Sequence, residues 1–245
     1  MAMMERVPGV GLAYAFIEGA GPVVVFCSGY GSDMGGTKAM RLWEFCAARG
    51  VAMLRFDYSG HGASGGRFVD GCVGDWAADA AYMVEAVLPG REVLLVGSSM
   101  GGWIALLLAL RLGVRVKGMV LVAPAPDFTE ELMKAELGAA QLAVLQREGV
   151  IYPPSQYGEP LPLTWKLLED GARHLLLGGE IDVTCKVRVL HGMRDPDVPW
   201  ALSLRLAECL RSEDVRVVLV KEGDHRLSRD EDLALLEGMV GEMLG

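Results

Sequence analysis

Short apolar and β-branched runs alternate with longer stretches of helical periodicity along most of this chain, and that alternation leaves few folds open. Strand-like runs read at 11–17, 23–28, 51–56, 93–97, 118–123, 187–190 and 215–220, and helical patterns at 38–49, 74–87, 101–112, 200–211 and 229–244. Several of the strand-like runs are apolar at successive positions, as in VVVFCS and VLLVG. A strand with one wet face would alternate, so these are expected to be covered on both faces. Parallel strands joined by crossover helices answer that description. The class predicted is α/β, a three-layer sandwich with a mostly parallel sheet and helices on both faces. At 245 residues and 51% hydrophobic, the chain has enough apolar material for one large domain, 1–245.

One interval breaks the alternation. Between the run ending at 123 and the one starting at 187 lie about sixty residues, where roughly ten to fifteen would carry a crossover. The insertion, 127–186, is expected to form a helical cap over the carboxyl ends of the strands. Asp127-Phe-Thr-Glu130 has the form of a capping box that would open a helix running toward Gly149. A Pro-rich turn, IYPPSQYGEPLP, follows, and then a second helix near 164–177. Met133, Leu137, Leu142, Leu145, Tyr152 and Trp165 are available either to line an acyl-binding cleft or simply to pack the cap onto the sheet. The segment carries ten acidic and five basic side chains, a balance that disfavours highly anionic acyl-CoA substrates.

The stretch VLLVGSSMGGWIALLLAL, 93–110, puts a serine between a strand and a helix. Gly97-Ser-Ser99-Met-Gly101 matches the G-x-S-x-G nucleophile elbow in the context the motif demands. The glycines allow strand and helix to approach around a strained turn, which lifts the Ser99 hydroxyl toward the cleft. Ser98 is expected beneath the sheet as a structural hydroxyl.

A serine hydroxyl is a weak nucleophile and needs a base, which in turn needs an orienting acid. On this fold the chain order is Ser, acid, His. Of the four histidines, His225 follows the last strand on a loop at the cleft. His191 begins a tight turn, His174 belongs to the cap, and His61 to a glycine-rich loop, DYSGHGAS. The turn HGMRDPDVPW offers Asp195 and Asp197. Asp195 is preferred, at the apex beside Pro196, with Asp197 as turn residue or helix cap; Asp127 is a third candidate. The oxyanion hole calls for the amide of Met100 and one from the loop CSGYGSDMGG, Tyr30 first and Gly31 second. Gly29, Gly31 and Gly35 of that loop imitate a dinucleotide fingerprint, but the spacing is G-x-G-x-x-x-G and no acidic residue ends a following strand at the required distance. No nucleotide, other organic cofactor or metal is predicted.

Charge and cysteine usage exclude other classes. A net charge of -9 repels phosphate backbones and anionic lipid, which argues against nucleic-acid partners. Five scattered cysteines without a C-x-x-C fit a reducing compartment and neither a disulfide framework nor a zinc site. The segment MAMMERVPGVGLAYAF is broken at Pro8 and Gly9 before an apolar run develops and resembles neither a signal nor a transit peptide. The longest apolar run, 103–110, is far short of the roughly 20 residues a spanning helix needs. A soluble, cytoplasmic, bacterial protein without stable membrane insertion is expected; oligomeric state is open.

SGYGSDMGGTKA, LRFDYSGHGASGG, VGSSMGGW, HGMRDPDVPW and GDHR together resemble the α/β-hydrolase superfamily over nearly the whole chain. Within it they are similar to the branch of small serine hydrolases that includes a mitochondrial palmitoyl-protein thioesterase and acyl-glucuronide esterase; PSQY and the helix around His174 share in this. The resemblance implies Ser99, Asp195 and His225 as the triad. It also implies a small-molecule or protein-linked acyl ester or thioester as substrate. A generalist short-chain carboxylesterase and a non-catalytic ligand-binding protein of the same fold are the alternatives.

Overall fold

The computed structural model describes residues 1–154 and 160–245. Its main sheet has eight strands: β1 (Ala2–Val7), β2 (Val10–Ile17), β3 (Ala20–Cys27), β4 (Val51–Phe56), β5 (Val93–Ser98), β6 (Val116–Val122), β9 (Lys186–Gly192) and β10 (Val215–Val220). Their spatial order is β1-β2-β4-β3-β5-β6-β9-β10. β1 and β2 are antiparallel to their neighbours and every later pair in the order is parallel. Between the sheet strands run α1 (Thr37–Arg49), α2 (Val73–Val87), α3 (Met100–Leu112) and α6 (Ala201–Cys209), and α7 (Asp230–Leu244) closes the chain.

The apolar runs become two-sided strands because helices cover both faces. Val23, Val25, Leu95 and Leu121 point into one core with Trp76, Trp103, Ile104 and Leu206, from α2, α3 and α6. Val24, Phe26, Val96 and Val122 point into the other with Leu42, Phe45, Leu236 and Val240, from α1 and α7. The three-layer, mostly parallel architecture is thus as the alternation predicts.

β1 has no counterpart among the predicted strands. Pro8 and Gly9, which read as chain breakers, instead form the turn of a hairpin that pairs Val7 with Val10, with Gly9 at φ 79°. An edge strand needs one partner and one half-buried face, so AMMERV carries too little apolar signal to stand out.

The interval after β6 departs more from expectation. Asp127 does not cap a helix: it has φ 58°, and its buried carboxylate accepts from the amides of Leu176 at 2.8 Å and Leu177 at 2.8 Å. A short π-helical stretch, Thr129–Lys134, follows, then α4 (Ala139–Glu148), ended by Gly149 in the left-handed region. The single long helix is therefore two pieces, interrupted before Gly138. A two-stranded ribbon, β7 (Val150–Ile151) with β8 (Leu163–Thr164), brackets the Pro-rich turn, of which residues 155–159, including the PSQY motif after Pro154, lie outside the described residues. The second helix, α5 (Trp165–Gly171), is shorter than the pattern suggests; Thr164 caps it, accepting from the amide of Leu167 at 3.1 Å. Lys166 and Asp170 tie it to the start of α2 through Asp75 and the Gly74 amide. Among the described residues no helix is long and apolar enough to cross a membrane.

Candidate active site

Ser99 joins β5 to α3 at φ 56°, ψ -122°. A non-glycine residue held there costs on the order of 1–3 kcal/mol, so its surroundings must fix it. Its amide donates to the Val122 carbonyl at 2.9 Å, and its carbonyl accepts from the amides of Gly102 and Ala125 at 2.8 and 3.1 Å. The motif glycines are required by contact. A Cβ at Gly97 would stand 2.3 Å from the Gly101 carbonyl oxygen, and one at Gly101 would stand 2.0 Å from that of Cys27. Met100 is the first residue of α3, so its amide is among those a helix leaves without an intrahelical partner. Ser98 ends β5 and is buried.

The loops after β9 and β10 meet this serine. His225 Nε2 lies 3.1 Å from Ser99 Oγ, and His225 Nδ1 lies 2.7 Å from Asp195 Oδ2. The Asp195 carboxylate is fully buried, and its other oxygen accepts from the amides of Asp197 at 2.9 Å and Val198 at 2.8 Å. Burial alone would raise its pKa. The hydrogen bonds from His191 and His225, the His225 charge and the Val198 amide outweigh that and hold it well below the usual carboxylate range. The carboxylate oxygen at 2.7 Å from His225 Nδ1 is that of Asp195, while the Asp197 amide serves the other Asp195 oxygen and the Asp127 carboxylate is engaged by Leu176 and Leu177.

The third component is the loop after β3. Gly29 lies directly against the elbow, where a Cβ would be 3.4 Å from the Ser99 Cβ. The Gly31 amide is directed at His61 Nε2, 3.3 Å away. His61 Nδ1 faces the Ser59 carbonyl, an acceptor only, so the proton belongs on Nδ1 and Nε2 is free to accept. Burial pushes the His61 pKa down to about 4, which preserves that acceptor. Ser59 is itself anchored: its amide and hydroxyl both donate to Asp79, fully buried on α2, which Arg6 of β1 also contacts. The Tyr30 ring packs among Phe68, Trp76 and Phe128, and its hydroxyl donates to the Pro162 carbonyl, linking this loop to the interval after β6. Leu161 overlies Gly31 from the same side.

The remaining histidines are placed as follows. His174 is half-buried 3.5 Å from Asp170, and its carbonyl accepts from Trp103 Nε1. His191 is fully buried on β9, in contact with both Asp195 and Ser203. Neither His61 nor His191 was distinguishable from a turn residue by sequence, because what they touch lies on distant segments or is fixed by the turn's shape. Of the apolar side chains offered as cleft lining, Leu145 is fully buried, while Met133, Leu137, Leu142 and Trp165 pack onto the main core; Tyr152 is exposed. Asp195, Asp197 and His225 bring potential metal-ligand atoms within 4.8 Å of one another, yet Asp195 Oδ2 and His225 Nδ1 are already occupied with each other.

Residues 20–173 match the family model described as serine aminopeptidase, S33. The mitochondrial palmitoyl-protein thioesterase ABHD10 of Mus musculus is 35% identical over 246 aligned residues, spanning 100% of this chain and 82% of that protein. A solved structure from Agrobacterium vitis S4 superposes with a TM-score of 0.95 at 41% identity, covering 100% of this chain and 97% of the other. The mouse α/β-hydrolase domain-containing protein 10 superposes with 0.91 at 34%, covering 99% and 97%. The eight-stranded sheet, the strained serine between β5 and α3 and these likenesses lead to one conclusion: the chain belongs to the α/β-hydrolase superfamily and, within it, to the serine aminopeptidase S33 family of hydrolases.

Proposed function

We propose that this hydrolase is a serine esterase or thioesterase that works through an acyl-enzyme, with Ser99 as nucleophile, His225 as base and Asp195 as the acid that orients it. The carrying observation is the unbroken line from Ser99 Oγ to His225 Nε2 at 3.1 Å and from His225 Nδ1 to Asp195 Oδ2 at 2.7 Å. As Ser99 Oγ attacks the acyl carbonyl carbon, its proton passes to His225 Nε2 and the carbonyl oxygen becomes an oxyanion. The amides of Met100 and Tyr30 stabilise that oxyanion; the Gly31 amide, the second candidate on the loop, is engaged by His61. Loss of one such donor typically costs about 3–4 kcal/mol of transition-state stabilisation. Collapse expels the thiol or alcohol, which takes the proton from His225. Water then attacks the acyl-enzyme, giving its proton to the same nitrogen, and Ser99 is released with the acid product. The sequence of steps calls on no metal or organic cofactor.

For the substrate, the likeness to a palmitoyl-protein thioesterase supports an S-acyl thioester of the palmitoyl type, with an acyl-sugar ester as the related oxygen ester. Segment 127–186 is then the cap that receives the acyl chain. The test is kcat/KM for an S-palmitoyl thioester reporter beside an acetyl ester, each corrected with Ser99→Ala. A clear long-chain preference is expected. Preference for acetyl would make the enzyme a short-chain carboxylesterase, and failure of a fluorophosphonate to label Ser99 in native protein would make it a binding protein instead.

A further inference from the structure

Asp195 Oδ2 receives two histidines, not one. His191 Nε2 lies 3.1 Å from that oxygen and 3.0 Å from the Val198 carbonyl, while His225 Nδ1 reaches the same oxygen at 2.7 Å. On the far side of the His191 ring, Nδ1 lies 2.6 Å from the Ser203 hydroxyl on α6. His191 and Ser203 are fully buried, so no solvent competes for these bonds.

The partners set the tautomer. A carboxylate and a carbonyl are acceptors, so Nε2 must carry a proton; a hydroxyl can donate, so Ser203 supplies one to Nδ1. The His191 ring is thereby a fixed donor aimed at the carboxylate. It is also rigidly mounted, since it belongs to the β9 strand and not to the loop that carries Asp195. Without it the carboxylate would still hold Oδ1 on the amides of Asp197 and Val198, but among the described residues Oδ2 would be left with the bond from His225.

We propose that His191 is a positioning residue of the triad: its Nε2–H fixes the rotation of the Asp195 carboxylate, and Ser203 fixes the tautomer that makes this possible. The inference rests on the reading of Ser99, His225 and Asp195 as the triad. It assigns a role in the reaction to a histidine that the position of its turn alone marks as structural. His191 touches no reacting atom; it acts through Asp195 on the aim of His225 Nδ1, and so on the approach of Nε2 to the nucleophile.

Two kinds of measurement test it. The first is independent of activity: ¹⁵N-histidine NMR of the unmodified protein is expected to show His191 as the Nε2–H tautomer, with a slowly exchanging proton distinct from that of His225. An Nδ1–H tautomer would overturn the proposal outright. The second compares His191→Gln, whose amide nitrogen reaches toward the Nε2 position, with His191→Asn, whose shorter amide reaches toward Ser203. A lost hydrogen bond to a charged acceptor corresponds to about 10- to 100-fold in rate. The Asn variant is expected to lose kcat by that factor with KM within about twofold, and the Gln variant to recover most of it. Equal kcat in Asn variant and wild type, or equal losses in Asn and Gln, would remove the positioning role. Fluorophosphonate labelling of Ser99 in the same samples separates the two readings, because its absence in wild type would defeat the triad and leave the tautomer result standing.

Discussion

At the scale of single residues, the proposed mechanism divides the site between groups that react and groups that hold. Ser99→Ala removes the nucleophile without opening the core, so turnover should fall below about a hundredth of wild type while thermal melting stays nearly unchanged. Asp195→Asn favours the wrong imidazole tautomer and is expected to lower kcat by about 10⁴. Asp197→Asn, which keeps the backbone amide that serves Asp195, should cost far less; the reverse ranking would move the acid to Asp197. The pH dependence follows from the same contacts. Asp195 is held below the usual carboxylate range, so it stays ionised where an ordinary carboxyl would already be protonated. A plot of log kcat/KM against pH should therefore show no break at the ordinary carboxylate value, about 3.9; a break there would mean that the contacts described do not hold the Asp195 carboxyl below its usual range. The stability linked to the depressed Asp195 pKa is present above the ordinary carboxylate value, about 3.9, and is lost as the pH falls below it.

Elements place those residues by contact between backbones and by a few large side chains. α3 is packed so closely on β3 and β5 that glycine is demanded where it crosses them, and Trp103, fully buried, fills the gap beyond. Trp103→Ala is expected to destabilise the fold by about 3–5 kcal/mol. It would also strand the His174 carbonyl that its indole N–H now serves. Denaturant unfolding reads the loss, and a change under about 1 kcal/mol would contradict the packing described. This level was the most legible in the sequence. Runs such as VVVFCS and VLLVG have one physical solution, a strand covered on both faces, and the G-x-S-x-G motif between strand and helix follows from it. AMMERV was not legible, because an edge strand is stabilised by pairing with β2 and not by its own apolar content. Asp127-Phe-Thr-Glu130 misled for a related reason: a carboxylate can cap a helix or bind distant amides, and only the approach of Leu176 and Leu177 decides which.

For the whole molecule, the sheet order brings three widely separated pieces of chain to one edge. Ser99 follows β5, Asp195 follows β9 and His225 follows β10, and these strands run parallel, so all three loops open at their carboxyl ends. The G-x-S-x-G motif, the chain order and the place of each loop were enough to nominate these residues, with Asp197 and Asp127 as alternatives to Asp195; they could not reveal that His61 and His191 stand behind the loop after β3 and behind Asp195, since those contacts are made by side chains within an already folded cleft. The interval after β6 is joined to the rest differently. Asp127 grips the chain where the excursion departs and, at Leu176 and Leu177, where it comes back, before 178–185 continues to β9. One carboxylate thus acts as a seam. A chimaera that takes 128–175 from a relative but keeps Pro162, Lys166 and Asp170 should melt like the parent and, on the proposed function, adopt the donor's chain-length preference, measured with the same pair of reporters. Descent with variation has then a seam and a few ties to respect, at Pro162, Lys166, Asp170 and His174: on the proposed reading, what faces the acyl chain is open to replacement between them, while the residues that break the bond are inherited intact.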